Sequence, residues 1–489
     1  MKNINRKSST DPVLSAPKLL MTLIISAAIG HPQQAIASTR ENIQPFPLQI
    51  ARQVTKSPTA TPRSARDYYN RAMRRYRSRD RSGAIADFNR AIELEPNFVD
   101  AYNNRGIIRG ASGDNLGAIG DYTRAISLNP KFFEAYANRG FARLSTGDKI
   151  GAMADLQTAS EIKPKDPQLA IGRGIIMAQT GDKQGAIASY NQAIQLSPRS
   201  VDAYYNRGLA KLDLGDRQGA IADYNKAIEL RPNYVNAYNS RGKAKDLTGD
   251  RQGAIADFDR AIQLDPNRSN AYLNRAIAKN SLGDRQGAVS DYNRVASLNP
   301  KDALSYFNRA VILAESGDRA KAISDYTIAI KLNPQLAEAY NNRGIAYFTM
   351  GDRAAAIADY NEVIRLKPDY AVAYLNRGIA FYSAQEYQKA VLDYDRAIAI
   401  EPNNGDIYFN RGVTKARMRE YQQALADYNT AIRLQPDRAI IYANRGLLQA
   451  QLQANPAATE DLKTAAKLFQ AQNNPAGYDS VMRKLEKIK

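Results

Sequence analysis

The sequence predicts an all-α solenoid, and three observations carry that expectation. Proline returns at 96, 130, 164, 198, 232, 266, 300, 334, 368, 402 and 436, always 34 residues apart. Between successive prolines, most stretches read as two helical segments separated by a Gly-Asp break. A short motif opens most of these stretches: AYNNRG at 101, AYANRG at 135, AYYNRG at 203, AYNNRG at 339 and AYLNRG at 373. Self-similarity at a period of this size marks stacked supersecondary units, none of which buries its apolar face alone.

The elements follow in order along the 489 residues, of which 44% are hydrophobic and 24% charged, a balance suited to a folded chain. Lys2, Arg6, Lys7 and Lys18 precede the apolar run Leu19 to Gly30, and Ala35-Ile36-Ala37 supplies small residues at cleavage spacing. Residues 1–37 are therefore expected to be a signal peptide, removed on export to the periplasm or an equivalent lumen, or secreted. The competing expectation is an uncleaved anchor, disfavoured because twelve apolar residues are short for a bilayer. Cleavage after Ala37 removes four positive charges and Asp11, taking the net charge from +19 to +16. Residues 38–66, rich in Pro, Ser and Thr, read as a flexible linker.

Twelve units without insertion then run from 67–100 to 441–474. In units two to nine a glycine (Gly113, Gly147, Gly181, Gly215, Gly249, Gly283, Gly317, Gly351) is placed to end the first helix in the left-handed conformation. The following aspartate, Asp114 and its equivalents, is placed to cap the second helix. Proline then closes the unit. Ala118 has an alanine equivalent in every unit, and Gly106 is Gly or Ala throughout, as close helix crossings require. An aromatic such as Phe88, Tyr122, Tyr190, Tyr224 or Phe258 fills the space beyond the crossing. After Pro475, the stripe Tyr478, Val481, Met482, Leu485 and Ile488 predicts a C-terminal capping helix over 475–489. Gln470 stands in place of the periodic proline, so the second helix before it is expected to run past Leu468.

The aromatic at Tyr102, the small residue at Gly106, Ala118, Tyr122, Ala125 and Pro130 recur across 67–474, and in these the chain resembles the tetratricopeptide repeat (TPR) family. The resemblance implies a right-handed α-solenoid superhelix of antiparallel helix pairs, with the first helices lining a concave groove. It also implies a protein that binds other proteins and serves as a scaffold. Unit four departs from the pattern by carrying Ala170 where Tyr102 stands.

A second departure is arginine where the family usually has leucine. It occurs in all twelve units, at 71, 105, 139, 173, 207, 241, 275, 309, 343, 377, 411 and 445. Sixteen residues later stands an aspartate in every unit but the fourth, where Ser189 follows Arg173. A cation beside the core is costly unless paired, so the spacing predicts a ladder of structural ion pairs. The alternative, a ligand-binding stripe of arginines, is disfavoured by the recurring complementary acid.

The residue before the arginine is asparagine in ten units: Asn70, Asn104, Asn138, Asn206, Asn274, Asn308, Asn342, Asn376, Asn410 and Asn444. Gly172 and Ser240 replace it in the other two. Two residues after the core tyrosine, it falls about 200° around the helix, away from the partner helix. By the family resemblance that face lines the groove, where a ladder of asparagines holds an extended peptide by its main chain. A primary amide suits this, since it both donates and accepts. The alternative is a ladder that bonds only to neighbouring units and water. Asp100, Glu134, Asp202, Glu338 and Asp406, at the helix starts, disfavour a clamp for a C-terminal carboxylate.

Eight arginines crowd into Arg63–Arg81 against Asp67 and Asp80. They suggest contact with an anionic envelope surface, either lipid or polysaccharide, or else the solvated end of a solenoid. Nucleic acid is not expected as a partner of an exported chain. His31 is the only histidine and there is no cysteine, so no imidazole base, thiol nucleophile or usual zinc ligand follows the signal. Neither enzyme activity, cofactor nor metal is expected. The function expected is an exported scaffold that binds extended protein segments; the competing class is an envelope spacer whose basic end binds a polyanion.

Overall fold

A computed structural model describes residues 63–488. The expected signal segment and most of the expected linker lie outside the described residues. Within them the chain forms 25 helices and no strand. They fall into two compact units, divided between Leu282 and Gly283, and each is an α-solenoid of antiparallel helix pairs.

The first half runs from α1 (Ala65–Arg77) to α13 (Ser269–Ser281). Its first helix begins two residues before the boundary drawn from the proline period. Ser64 caps it in a reciprocal box with Asp67: the Asp67 amide donates to Ser64 Oγ (3.1 Å), and the Ser64 amide donates to Asp67 Oδ2 (3.1 Å). The second half runs from α14 (Arg285–Leu298) to α25 (Pro475–Ile488).

Each repeat is built the same way. Glycine at the end of the first helix takes a positive φ in repeats two to nine, as at Gly249 (φ 89°). The next aspartate then caps the second helix: the Gly117 amide donates to Asp114 Oδ1 (2.8 Å), and equivalent bonds cap the second helices of repeats one to nine. In the last three repeats Glu386, Glu420 and Ala454 stand at the cap and make no such bond. Where repeats one, ten, eleven and twelve lack the glycine, Arg79, Gln385, Arg419 and Gln453 take the left-handed conformation instead.

The core forms where the two helices cross. All twelve alanines of the Ala118 column are fully buried, at 0% exposure. A Cβ on Gly106 would sit 2.8 Å from Tyr122 Cε1, so the ring lies directly on the first-helix backbone. Burial pushes the hydroxyls of Tyr122, Tyr190, Tyr360 and Tyr428 well above the usual phenol range. Tyr102, expected in the core, is only half-buried, with the Arg105 guanidinium 5.5 Å from its ring centroid.

Within each half, successive first helices also pack against one another, and no pair of successive second helices packs comparably. The first helices therefore line the inner side of each half. At the carboxyl end, the last second helix, α24 (Asn455–Ala471), does continue past Leu468. Helix α25 then packs on it through Val481 and Leu485, closing the apolar end beside Phe469.

Candidate functional site

The arginine column is a structural device that acts in two directions. In repeat two, Arg105 Nε donates to Asp121 Oδ2 (3.0 Å) and one terminal nitrogen donates to Asp121 Oδ1 (2.5 Å). The same two-pronged pair appears at Arg71–Asp87, Arg139–Asp155, Arg207–Asp223, Arg241–Asp257, Arg309–Asp325, Arg343–Asp359, Arg377–Asp393, Arg411–Asp427 and Arg445–Asp461. Each of these aspartates is buried. The bond to Asp223 holds the Arg207 guanidinium above its usual range against the opposing effect of burial.

The remaining nitrogen reaches backwards. Arg105 Nη1 donates to Asn89 Oδ1 (2.7 Å), on the second helix of the preceding repeat. Arg207 does the same to Asn191, Arg241 to Asn225, Arg377 to Asn361 and Arg445 to Asn429. Thr123, Thr327, Asn293, Asp259 and Asp395 serve Arg139, Arg343, Arg309, Arg275 and Arg411. Every such acceptor lies sixteen residues before its arginine. This acceptor column was missed in the sequence because it mixes Asn, Thr and Asp.

The asparagines lie on the inner faces of the first helices. Asn104, Asn308, Asn376, Asn410 and Asn444 are buried, while Asn70, Asn138, Asn206, Asn274 and Asn342 are half-buried. Seven of their amide nitrogens take one of two kinds of partner. Where the residue 35 positions earlier is polar, the amide crosses to the preceding repeat: Asn104 donates to the Tyr69 hydroxyl (2.8 Å), Asn138 to Asn103 Oδ1 (3.0 Å), Asn274 to Asn239 Oδ1 (3.1 Å) and Asn376 to Asn341 Oδ1 (3.1 Å). Where that residue is Ile171, Leu375 or Phe409, the amide turns back on its own helix. Asn206, Asn410 and Asn444 then donate to the carbonyls of Asp202 (2.8 Å), Asp406 (2.7 Å) and Ile440 (2.8 Å). Asn308 and Asn342 differ: Leu273 and Phe307 stand 35 positions earlier, and these amides lie beside the buried hydroxyls of Tyr292 and Tyr326. Burial drives the Tyr69 hydroxyl up to about 12, with Asp100 adding to it and Arg66 and the Asn104 bond opposing. None of the ten amides leaves a buried polar atom without a partner.

What the row presents outward thus narrows to its five half-buried members, which stand in repeats one, three, five, seven and nine. Two helix-start acids beside them, Glu134 and Glu338, are shifted in opposite directions. Burial raises the Glu134 carboxyl. Burial pushes Glu338 the same way, but its bond to Lys367 wins and holds it low. At the amino-terminal end, Arg71 and Arg75 are committed to Asp87. Arg63, Arg66, Arg74, Arg77, Arg79 and Arg81 are exposed. No group of His, Cys, Asp or Glu suited to a metal ion occurs among the described residues, and no helix there is long and apolar enough to cross a membrane.

Profiles described as tetratricopeptide repeat match residues 69–131, 201–234, 235–268, 269–302, 337–370, 371–404 and 393–426. A further profile described as TPR repeat matches 174–215, 311–351 and 420–453. No curated protein matches the sequence. Among solved structures, the chain is similar to the APC/C hetero-tetramer Cut9-Hcn1 at 14% identity, covering 86% of this chain and 97% of that one with a TM-score of 0.42. It is similar to yeast Tom70 at 16% identity, covering 86% and 96%, with a TM-score of 0.36. Similarity to YrrB, described as a TPR protein with an unusual peptide-binding site, covers 38% of this chain and 95% of that one at 22% identity and a TM-score of 0.34.

Proposed function

Because the chain belongs to the tetratricopeptide-repeat family, a fold typical of protein–protein interaction, we propose that it is an exported scaffold that holds extended protein segments along its first-helix faces. One observation carries this reading. Half-buried amides recur in every second repeat on that inner face, at Asn138, Asn206 and Asn274 in the first half and at Asn342 in the second. A chain lying in the extended conformation offers unpaired N–H and C=O groups at regular intervals, and amides can meet them whatever the side chains. Export rests on the basic segment, apolar run and small-residue site of residues 1–37. The absence of His and Cys after residue 37 favours a role without catalysis.

The test is a peptide-display selection against the chain, followed by Asn138→Ala, Asn206→Ala and Asn274→Ala together. Each lost hydrogen bond is worth about 1 kcal/mol, so selected peptides should bind at least tenfold more weakly. Thermal stability should fall by less than binding, because alanine is the better helix former and offsets part of the loss of the Asn138 and Asn274 bonds to Asn103 and Asn239. A fall in stability that matches the fall in binding would assign these amides to packing between repeats.

The six exposed arginines at the amino-terminal end favour a second reading. The nearby acids, Asp67 and Asp80, are already used in helix caps. That end would then carry the chain onto an anionic envelope surface, with the solenoid as a spacer.

A further inference from the structure

The joint between the third and fourth repeats lacks the backward arginine bond that recurs at the other joints. Ten joints between successive repeats carry an arginine bond reaching sixteen residues back; among the described residues this joint carries none. The residue in the acceptor position is Gln157, whose amide donates to Glu161 on its own helix (3.1 Å).

The loss runs through the whole of repeat four. Ser189, 7% exposed, replaces the buried aspartate, and its hydroxyl meets Met177 Sδ (3.4 Å), which occupies the second cation's place. Arg173 bonds Gln192 through one terminal nitrogen, and its buried Nε has no partner. Ala170 removes the ring that underlies the arginine elsewhere, and Gly172 removes the asparagine amide.

Apolar contact takes over. Leu169 and Ile176 of α7 (Pro167–Thr180) are buried with Ala137, Leu156 and Ala159 of the repeat before. The Phe141 ring lies on the bare backbone of Gly172, where a Cβ would come within 2.8 Å of its Cζ. One exposed bond, Lys149 Nζ to the Gln179 carbonyl (3.2 Å), still crosses. Hydrogen bonds fix angle as well as distance, whereas apolar burial is non-directional. A ring resting on a glycine backbone sets no angle, whereas the arginine bond that crosses the other joints does, its guanidinium being held in place by the two-pronged pair within its own repeat.

We propose that the joint between the third and fourth repeats is a built-in hinge, about which the two ends of the first half pivot. The motion is a shear of packed helices, α7 over α5 (Phe133–Thr146) and α6 (Lys149–Ile162), with the buried apolar area kept nearly constant. A partner lying along the inner face would meet a variable curvature there.

The chain contains no cysteine, so introduced pairs can be spin-labelled without background. Ser127→Cys with Gln195→Cys spans two joints including this one. Gln195→Cys with Gln263→Cys spans two clamped joints, and all three sites are exposed. The inter-label distance distribution should be at least twofold broader for the first pair; equal widths would overturn the proposal. Adding Ser189→Asp and Gln157→Asn gives Arg173 both missing acceptors and should narrow the first distribution while leaving the second unchanged. If the broad distribution persisted in a restored variant with native helicity, the hinge could not be attributed to the lost fastenings. Should that variant fail to fold, the comparison of the two pairs in the native background still decides.

Discussion

Each clamp arginine meets three demands at once. Beyond the first repeat, its Nε and one terminal nitrogen neutralise a buried aspartate, its remaining nitrogen ties down the preceding repeat, and its plane covers a half-buried tyrosine, as Arg377 does with Asp393, Asn361 and Tyr374. Phe381 stands where other repeats place a second cation, so Asp393 depends on Arg377 alone among the described ion pairs. Asp393→Ala should cost on the order of 3 kcal/mol by stranding the guanidinium. Replacing Arg377 by Met and Asp393 by Leu together should recover much of that. Hydrogen exchange in the helix Tyr387–Ile400 reads both; equal loss in single and double variants would show that the pair is not the source. The pairing was legible in the sequence because opposite charges kept one spacing. The bond to Asn361 was not, since its column changes residue type from repeat to repeat. The crossing of asparagine amides to the preceding repeat was hidden for a related reason: it needs a polar residue 35 positions earlier, and that column looks irregular, holding Tyr69 in one repeat and Asn341 in another.

At the scale of the helix, the corner between the two helices of a repeat divides the array. Repeats two to nine turn on glycine, whereas Gln385 (φ 64°) and Arg419 (φ 67°) hold the same left-handed geometry with a side chain. That geometry costs a non-glycine residue roughly 1–2 kcal/mol. Gln385→Gly and Arg419→Gly should therefore each stabilise their repeat, by about 0.5–1 kcal/mol after the entropy glycine adds to the unfolded chain. Gly249→Ala should destabilise by about 1 kcal/mol, while Gly120→Ala, in a helix interior with open space around it, should stabilise by about as much. Urea midpoints of the four variants check the signs; a loss at both Gly249 and Gly120 would show that something other than φ decides. These corners were readable from the Gly-Asp pair. The depth of Tyr102 was not: it and Tyr122 look equally aromatic, and only the arginine lying over one ring marks it as the outer of the two.

Across the whole molecule the net charge is +19, and the six exposed arginines concentrate positive charge at one end. Binding through that end to vesicles containing anionic lipid should weaken steeply between low and physiological salt, because exposed charges are screened over about 8–10 Å. Peptides held by amides should show little such dependence. Arg74→Glu with Arg77→Glu should abolish vesicle binding and leave selected peptides bound. Vesicle binding that survives both the salt and the charge reversal would remove that end as the contact.

The backward reach of the arginine has one more consequence. Every acceptor lies one repeat behind, at the same place in its helix, so neighbouring joints are interchangeable parts. Excising residues 203–236 would bring Arg241 against Asn191 in place of Asn225, with the same donor, acceptor and spacing. Unequal crossing-over between two such repeats in a gene would therefore yield a chain shorter or longer by 34 residues whose new seam is already fitted. Length is thus a quantity this sequence can change in whole steps without inventing a new interface, while a deletion of any other size would misalign every contact at the seam.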